Sequence, residues 1–197
     1  MNDRLVYIVC FLLVVVMVVL TTGCDQNDVS RLAVELRNRD SGIRKSAAKD
    51  LEKLGAQAAP AVEELGKCLS DDDPQVRYRA AKALSKIGRP SKLVVNQLAT
   101  ALVNDPDRQV RYYAAKTIDQ FADEAAPAVA QLTEALSDDH PKVRCYAAKS
   151  LGKIGAEAHV ALKRIEALKK DKEKDVRKAA ESAVRRIRKK QSESRRP

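Results

Sequence analysis

Asp73-Pro-Gln-Val-Arg-Tyr-Arg-Ala-Ala-Lys-Ala-Leu-Ser-Lys-Ile-Gly88 decides the fold, because the chain repeats it. Related copies start at Asp40, Asp107, His140 and Glu173. With Val76 as position zero, the equivalents are Ile43, Val110, Val143 and Val176, at spacings of 33, 34, 33 and 33. A fixed period of this length is the mark of stacked supersecondary units. At about 100° per residue, positions 0, +4, +8 and +11 share one helix face. They read Ile43/Ala47/Leu51/Leu54, Val76/Ala80/Leu84/Ile87, Val110/Ala114/Ile118/Phe121, Val143/Ala147/Leu151/Ile154 and Val176/Ala180/Val184/Ile187. This is the apolar stripe expected of the second helix in each unit.

Starts and stops are marked as well. Asp40, Asp73 and Asp107 stand three residues before position zero as N-caps, and Pro74 and Pro141 fall in the first turn. His140 holds the same position in the fourth unit and is expected to cap there. Gly55, Gly88 and Gly155 follow the last core residue as stops. A first helix fills each interval, with core residues Val29/Leu32/Leu36, Val62/Leu65/Leu69, Val95/Leu98/Leu102, Val129/Leu132/Leu136 and Leu162/Ile165; Pro60 and Pro127 open two of them.

The Asp-Pro-x-Val-Arg-x-x-Ala-Ala-x-x-Leu-x-x-Ile-Gly pattern resembles the HEAT-repeat family, in particular short bacterial HEAT-like repeats. The likeness covers about residues 28–190. It implies an all-α protein, a right-handed α-α superhelix of about five helical pairs, with second helices near 40–55, 73–88, 107–122, 140–155 and 174–190. One pair cannot bury its own stripe, so neighbours share a continuous core. The end units depart from consensus: Asp50 replaces the small residue seen at Ala83, and Glu181 replaces the second Ala of Ala80-Ala81. A charge at either place would be costly under another layer.

Position +1 is always arginine: Arg44, Arg77, Arg111, Arg144 and Arg177. In HEAT arrays this residue pairs with a turn aspartate, so Asp73, Arg77, Arg111 and Arg144 are expected to form a structural ladder. Positions +2, +3 and +6 lie away from the core, on the helix that lines the concave face in this family. Position +6 reads Lys49, Lys82, Lys116 and Lys149, and beside it stand Tyr78, Tyr112, Tyr113 and Tyr146. Tyrosine among cations suits an interaction surface. The expected function is therefore a non-catalytic scaffold, monomeric, that binds a protein partner through Tyr78, Lys82, Tyr112, Lys116, Tyr146, Lys149 and Lys49. A solvated helix face whose tyrosines pad the stripe edge is the competing reading for any one of these residues.

Enzyme signals are thin. His140 and His159 are followed by Pro and Val, and the His-Glu pairs of the HEAT-repeat metalloenzyme deoxyhypusine hydroxylase are missing. The repeats also resemble those of phycobilin lyases, but in scaffold residues that carry no activity with them. No catalytic residue, metal or cofactor is expected.

The formal charge of +10 is concentrated at one end. Residues 163–197 hold 15 Lys/Arg and 6 Asp/Glu, a balance of +9. The last residues, 191–197, are expected to be a basic disordered tail. The alternative function follows from this end: a binder of anionic lipid or nucleic acid, with lipid favoured over nucleic acid. Cys68 and Cys145 fall two repeats apart, too far for a disulfide, and read as structural thiols.

Leu5 to Leu20 is continuously apolar and ends in Leu20-Thr-Thr-Gly-Cys24-Asp25. This resembles the lipobox of bacterial lipoprotein signal peptides, in which the cysteine takes a diacylglyceryl group and the signal is cut before it. The resemblance implies a signal peptide at 1–23, lipidation of Cys24, and a short tether at 24–27. It places the solenoid on the extracytoplasmic side of the bacterial cell membrane. An uncleaved single-pass N-terminal anchor helix is the open alternative.

Overall fold

The computed structural model describes residues 28–88 and 94–194. It is an α-α solenoid. A first helix, α1 (28–35), precedes α2 (Ser41–Leu54), α3 (Val62–Lys67), α4 (Pro74–Ile87), α5 (Val95–Asn104), α6 (Arg108–Gln120), α7 (Val129–Ala135), α8 (Pro141–Ile154), α9 (Leu162–Ala167) and α10 (Lys174–Ser194). The even-numbered helices are the repeated stretches. Each packs on the next, α2 on α4 through to α8 on α10, while α3, α5 and α7 form a second layer behind them.

The caps explain why the even helices begin where they do. Asp40, Asp73 and Asp107 sit in extended conformation and accept from the amides of Gly42, Gln75 and Gln109. His140 departs from the expectation. It holds the cap position, yet its ring makes no capping bond and its Nδ1 is buried without a partner. Gly55, Gly88 and Gly155 stop their helices at φ values of 56°, 93° and 84°, where a side chain would be strained. The odd helices are composite: short 3-10 turns at Gly55–Ala61 and Ala126–Ala128 lead into α3 and α7. Pro60 and Pro127 lie inside these lead-ins, where the missing N–H suits a tight turn better than a full α-helix.

The core is one continuous cluster shared by all repeats. Ala47, Ala80, Ala114, Ala147 and Ala180, the +4 column, are all fully buried, so successive even-numbered helices approach without large side chains between them. Gly152 carries this furthest: a Cβ there would lie 2.7 Å from the Ala183 Cα. Two boundaries differ from expectation. Ile43, assigned to the buried stripe, is 39% exposed, because among the described residues no layer covers that side of α2. The last helix runs to Ser194 and takes in residues 191–194, which were expected to be disordered. Arg188 stands where Gly88 and Gly155 stop the earlier helices, so nothing ends α10 at that point.

The expected signal segment, Cys24 and the tether lie outside the described residues, as do 195–197. Among the described residues no helix is long and apolar enough to cross a membrane.

Candidate partner-binding face

The arginine column is tied to aspartates. Arg44 binds Asp71 and Arg144 binds Asp171 with both forks, at 2.7 Å twice and at 2.8 and 2.9 Å. Arg77 reaches Asp105 at 2.8 Å, and Arg111 reaches Asp138 at 2.7 Å. Each Nη1 also donates to two carbonyls of its own turn, such as those of Asp138 and Asp139 for Arg144. The guanidinium therefore locks its own loop and the next repeat at once. Asp73 is not the ladder acid. It caps α4, while the partners are Asp71, Asp105, Asp138 and Asp171, five residues before position zero. The signal was present in the sequence: this column reads Asn38 and then four aspartates, stricter than the cap column. With their side chains mostly covered, these arginines are structural.

The tyrosines behave differently. Tyr78 meets Tyr113 edge-on at 5.8 Å, Tyr113 meets Tyr112 at 4.8 Å, and Tyr112 meets Tyr146 at 5.9 Å. One aromatic ridge thus runs across α4, α6 and α8. Cations lie over it: Lys82 and Arg79 on Tyr78, Lys116 on Tyr113, Lys142 on Tyr112 and Lys149 on Tyr146, at 5.1–6.0 Å. Burial, followed by the neighbouring Tyr78 and Tyr112, pushes the Tyr113 and Tyr146 hydroxyls above their ordinary pKa, so both stay protonated. His140 closes the row, its ring 6.0 Å from Tyr112.

The lysine column is not uniform. Lys82 is bound at 2.9 Å to Glu52 of the preceding repeat, which also holds Arg79 at 3.1 Å. Burial tends to raise the Glu52 pKa, but bonds from Lys82 and Arg79 prevail and keep it below the usual range. Lys82 is thereby engaged within the scaffold. Lys49 is exposed on α2, whose repeat carries Lys45 and Ser46 where α4, α6 and α8 carry a tyrosine; no ring contact reaches it among the described residues. Lys149 remains exposed, as does Lys142 beside it.

Past the ridge the face drops into a groove of about 850 Å³ between α6, α8 and α10. Its cause is legible in the repeat. Where the preceding repeat carries Tyr146 and Lys149, α10 carries Ala179 and Ser182, and α8 carries Cys145 where α6 carries Tyr112. Small residues make the floor; Tyr112 and Tyr146 form one wall, with Lys149, Lys178 and Arg186 around the mouth. Lys153 is neutralised by Asp119 at 2.9 Å, and Glu173 and Asp175 leave the remaining charge modestly positive. Neither Cys145 nor Cys68 is a reactive thiol: both are buried, and burial raises both pKa values, that of Cys68 to about 11. Among the described residues no cluster could hold a metal ion.

Repeat stacking, a shared core and a ridge of side chains running across successive even-numbered helices define an α-solenoid scaffold. A family model for HEAT repeats matches residues 29–95 and 95–185, and the chain belongs to the HEAT-repeat family. No curated protein matches it. Among solved structures it is similar to an engineered protein at 26% identity and a TM-score of 0.68, over 81% of this chain and 79% of that one. It is also similar to a designed armadillo repeat protein in complex with a (KR)4 peptide, at 18% identity and a TM-score of 0.70, over 87% and 84%. The complex of CpcE and CpcF of phycocyanin lyase from Nostoc sp. PCC7120 matches at 24% identity and a TM-score of 0.65, over 82% of this chain and 65% of that one. At these identities the last two show the fold.

Proposed function

We propose that this protein is a membrane-tethered, non-catalytic HEAT-repeat scaffold, monomeric, that holds a segment of a partner protein on its inner face. One observation carries the reading: the aromatic ridge of Tyr78, Tyr113, Tyr112 and Tyr146 ends at an open groove whose rim lysines are not consumed by the scaffold. Rigid aromatic rings supply contact area at little entropic cost, and the lysines add orientation. A groove of about 850 Å³ accommodates a few residues of extended chain, within the range of small-ligand sites. The complex of the designed armadillo protein with a (KR)4 peptide supports peptide binding by a solenoid of this kind.

Lys149→Glu with Lys178→Glu reverses two exposed rim charges that form no ion pair among the described residues. Partner capture by the native protein is expected to be lost with the melting temperature unchanged; unchanged capture would refute the reading. The tether is a separate matter, supported by the lipobox at Cys24. Two acyl chains give stable anchoring where one is marginal. Mass spectrometry of the native N-terminus should find an acylated Cys24; an intact Met1 would favour the anchor helix.

A further inference from the structure

Among the described residues, the fifth rung of the ladder carries no acid. Arg177 is held as the other four are: its Nη1 donates to the carbonyls of Asp171 and Lys172 at 2.7 and 2.9 Å. In Arg144 the same pose leaves Nε and Nη2 pointing at the next repeat, where Asp171 takes both. Among the described residues no carboxylate meets that edge of Arg177. Within the described residues α10 continues helical past the point where its counterparts stop and brings no acid back to that edge. The result is a preorganised two-donor fork on the last described repeat, fixed by two carbonyl bonds before any ligand arrives.

Its surroundings favour an anion. Lys174 and Arg185 lie on the same stripe of α10 by helical spacing, with Glu181 the single acid among them, and Lys172 is exposed in the turn beneath. A second copy of this chain stacked head to tail would not fill the site. Asn38 occupies the ladder-acid position of the first repeat, accepting from the Asp40 amide as Asp71 accepts from that of Asp73. It would offer a neutral amide.

We propose that the C-terminal end of the solenoid is a second binding site, where Arg177 takes an aspartate or glutamate carboxylate from an acidic loop of a partner protein docked end-on. The four filled rungs show what this guanidinium edge binds in the same pose. The site is independent of the inner face: the partner continues the array where the fifth rung leaves off.

The test uses the full chain in neutral detergent micelles, with the arginine Nε–Hε signals followed by NMR. The probe is the blocked heptapeptide Leu-Ser-Asp-Asp-Asp-Pro-Gln, copied from residues 69–75. The Arg177 signal is expected to move saturably while those of Arg44, Arg77, Arg111 and Arg144 stay still. Arg177→Lys keeps the charge and removes the fork, so peptide affinity should fall by about tenfold. An unmoved Arg177 signal, or equal affinity in the lysine variant, overturns the proposal. A peptide-silent Arg177 that responds to micelles doped with phosphatidylglycerol overturns it too and assigns this end to lipid headgroups.

Discussion

Replacing Arg144 by methionine tests how the solenoid holds its layers. The side chain loses two charge-assisted bonds to Asp171, at 2.8 and 2.9 Å, and two to the carbonyls of Asp138 and Asp139, at 2.8 and 3.2 Å. Arg144 and Asp171 expose only 9% and 7% of their side chains, so water cannot replace the lost partner freely. Removing one member of a buried pair costs about 3–5 kcal/mol, against about 0.2–1 for exposed pairs. This pair sits under thin cover at the layer edge, which puts the expected loss near 3 kcal/mol, at the low end of the buried range. Urea denaturation reads it, and a double-mutant cycle with Asp171→Asn should return a coupling well above 1 kcal/mol. Because each repeat touches only its neighbours, hydrogen exchange should rise in α10 and not in α2. The pH dependence has a definite sign. The Arg144 hydrogen bond holds the Asp171 carboxyl below its ordinary pKa. Such a group stabilises the fold above its unfolded pKa of about 4, and the contribution is lost as pH falls through the lower folded value. The gap between wild type and variant should be full at neutral pH and close in acid. A loss under about 0.5 kcal/mol, or a coupling near zero, would refute the reasoning.

The remaining predictions test packing, capping and thiol burial. Gly152→Ala puts a methyl against the Ala183 backbone, which cannot yield as a side chain can, so it should cost about 1–3 kcal/mol in a urea titration. His140→Asp restores the cap found at Asp40, Asp73 and Asp107 and should stabilise the protein by about 1 kcal/mol, read as a higher melting temperature. Burial depresses the His140 pKa, so wild-type stability should fall as pH drops below the unfolded value of about 6.5, and this part of the decline should vanish in His140→Asp. Cys68, pushed up to about 11, should resist iodoacetamide at pH 8 in the native state and react at once in urea.

The architecture could be read from the sequence because a solenoid writes its core many times. One column of Val, Ala, Leu and Ile recurring every 33 or 34 residues fixes helix, face and stacking together. Ile43 escaped that reading for a physical reason: periodicity reports the shape of a unit, while burial depends on whether a neighbour covers it. The ladder was legible in part. The arginines were evident, but two aspartates stand two residues apart at Asp71/Asp73 and Asp105/Asp107; the stricter column hinted at the partner, and geometry assigns the cap to Asp73 and the ion pair to Asp71. Contacts that do not repeat were invisible. Glu52 and Asp119 share position +9, yet Glu52 takes Lys82 and Arg79 while Asp119 takes Lys153, so no one column rule announces either pair. The groove is intermediate, since the small residues Cys145, Ala179 and Ser182 stand in the sequence but become a cavity only when α8 and α10 are side by side.

The central claim is that partners bind the inner face beside the tyrosine ridge. Photo-crosslinking from single sites in living cells tests it most directly, with a benzoylphenylalanine at Ser182 on the groove and another at exposed Ala130 on α7 in the outer layer. A discrete adduct from position 182, absent from 130 and lost in Lys149→Glu/Lys178→Glu, is the predicted result. Adducts from 130 alone, or from both positions alike, would contradict the account.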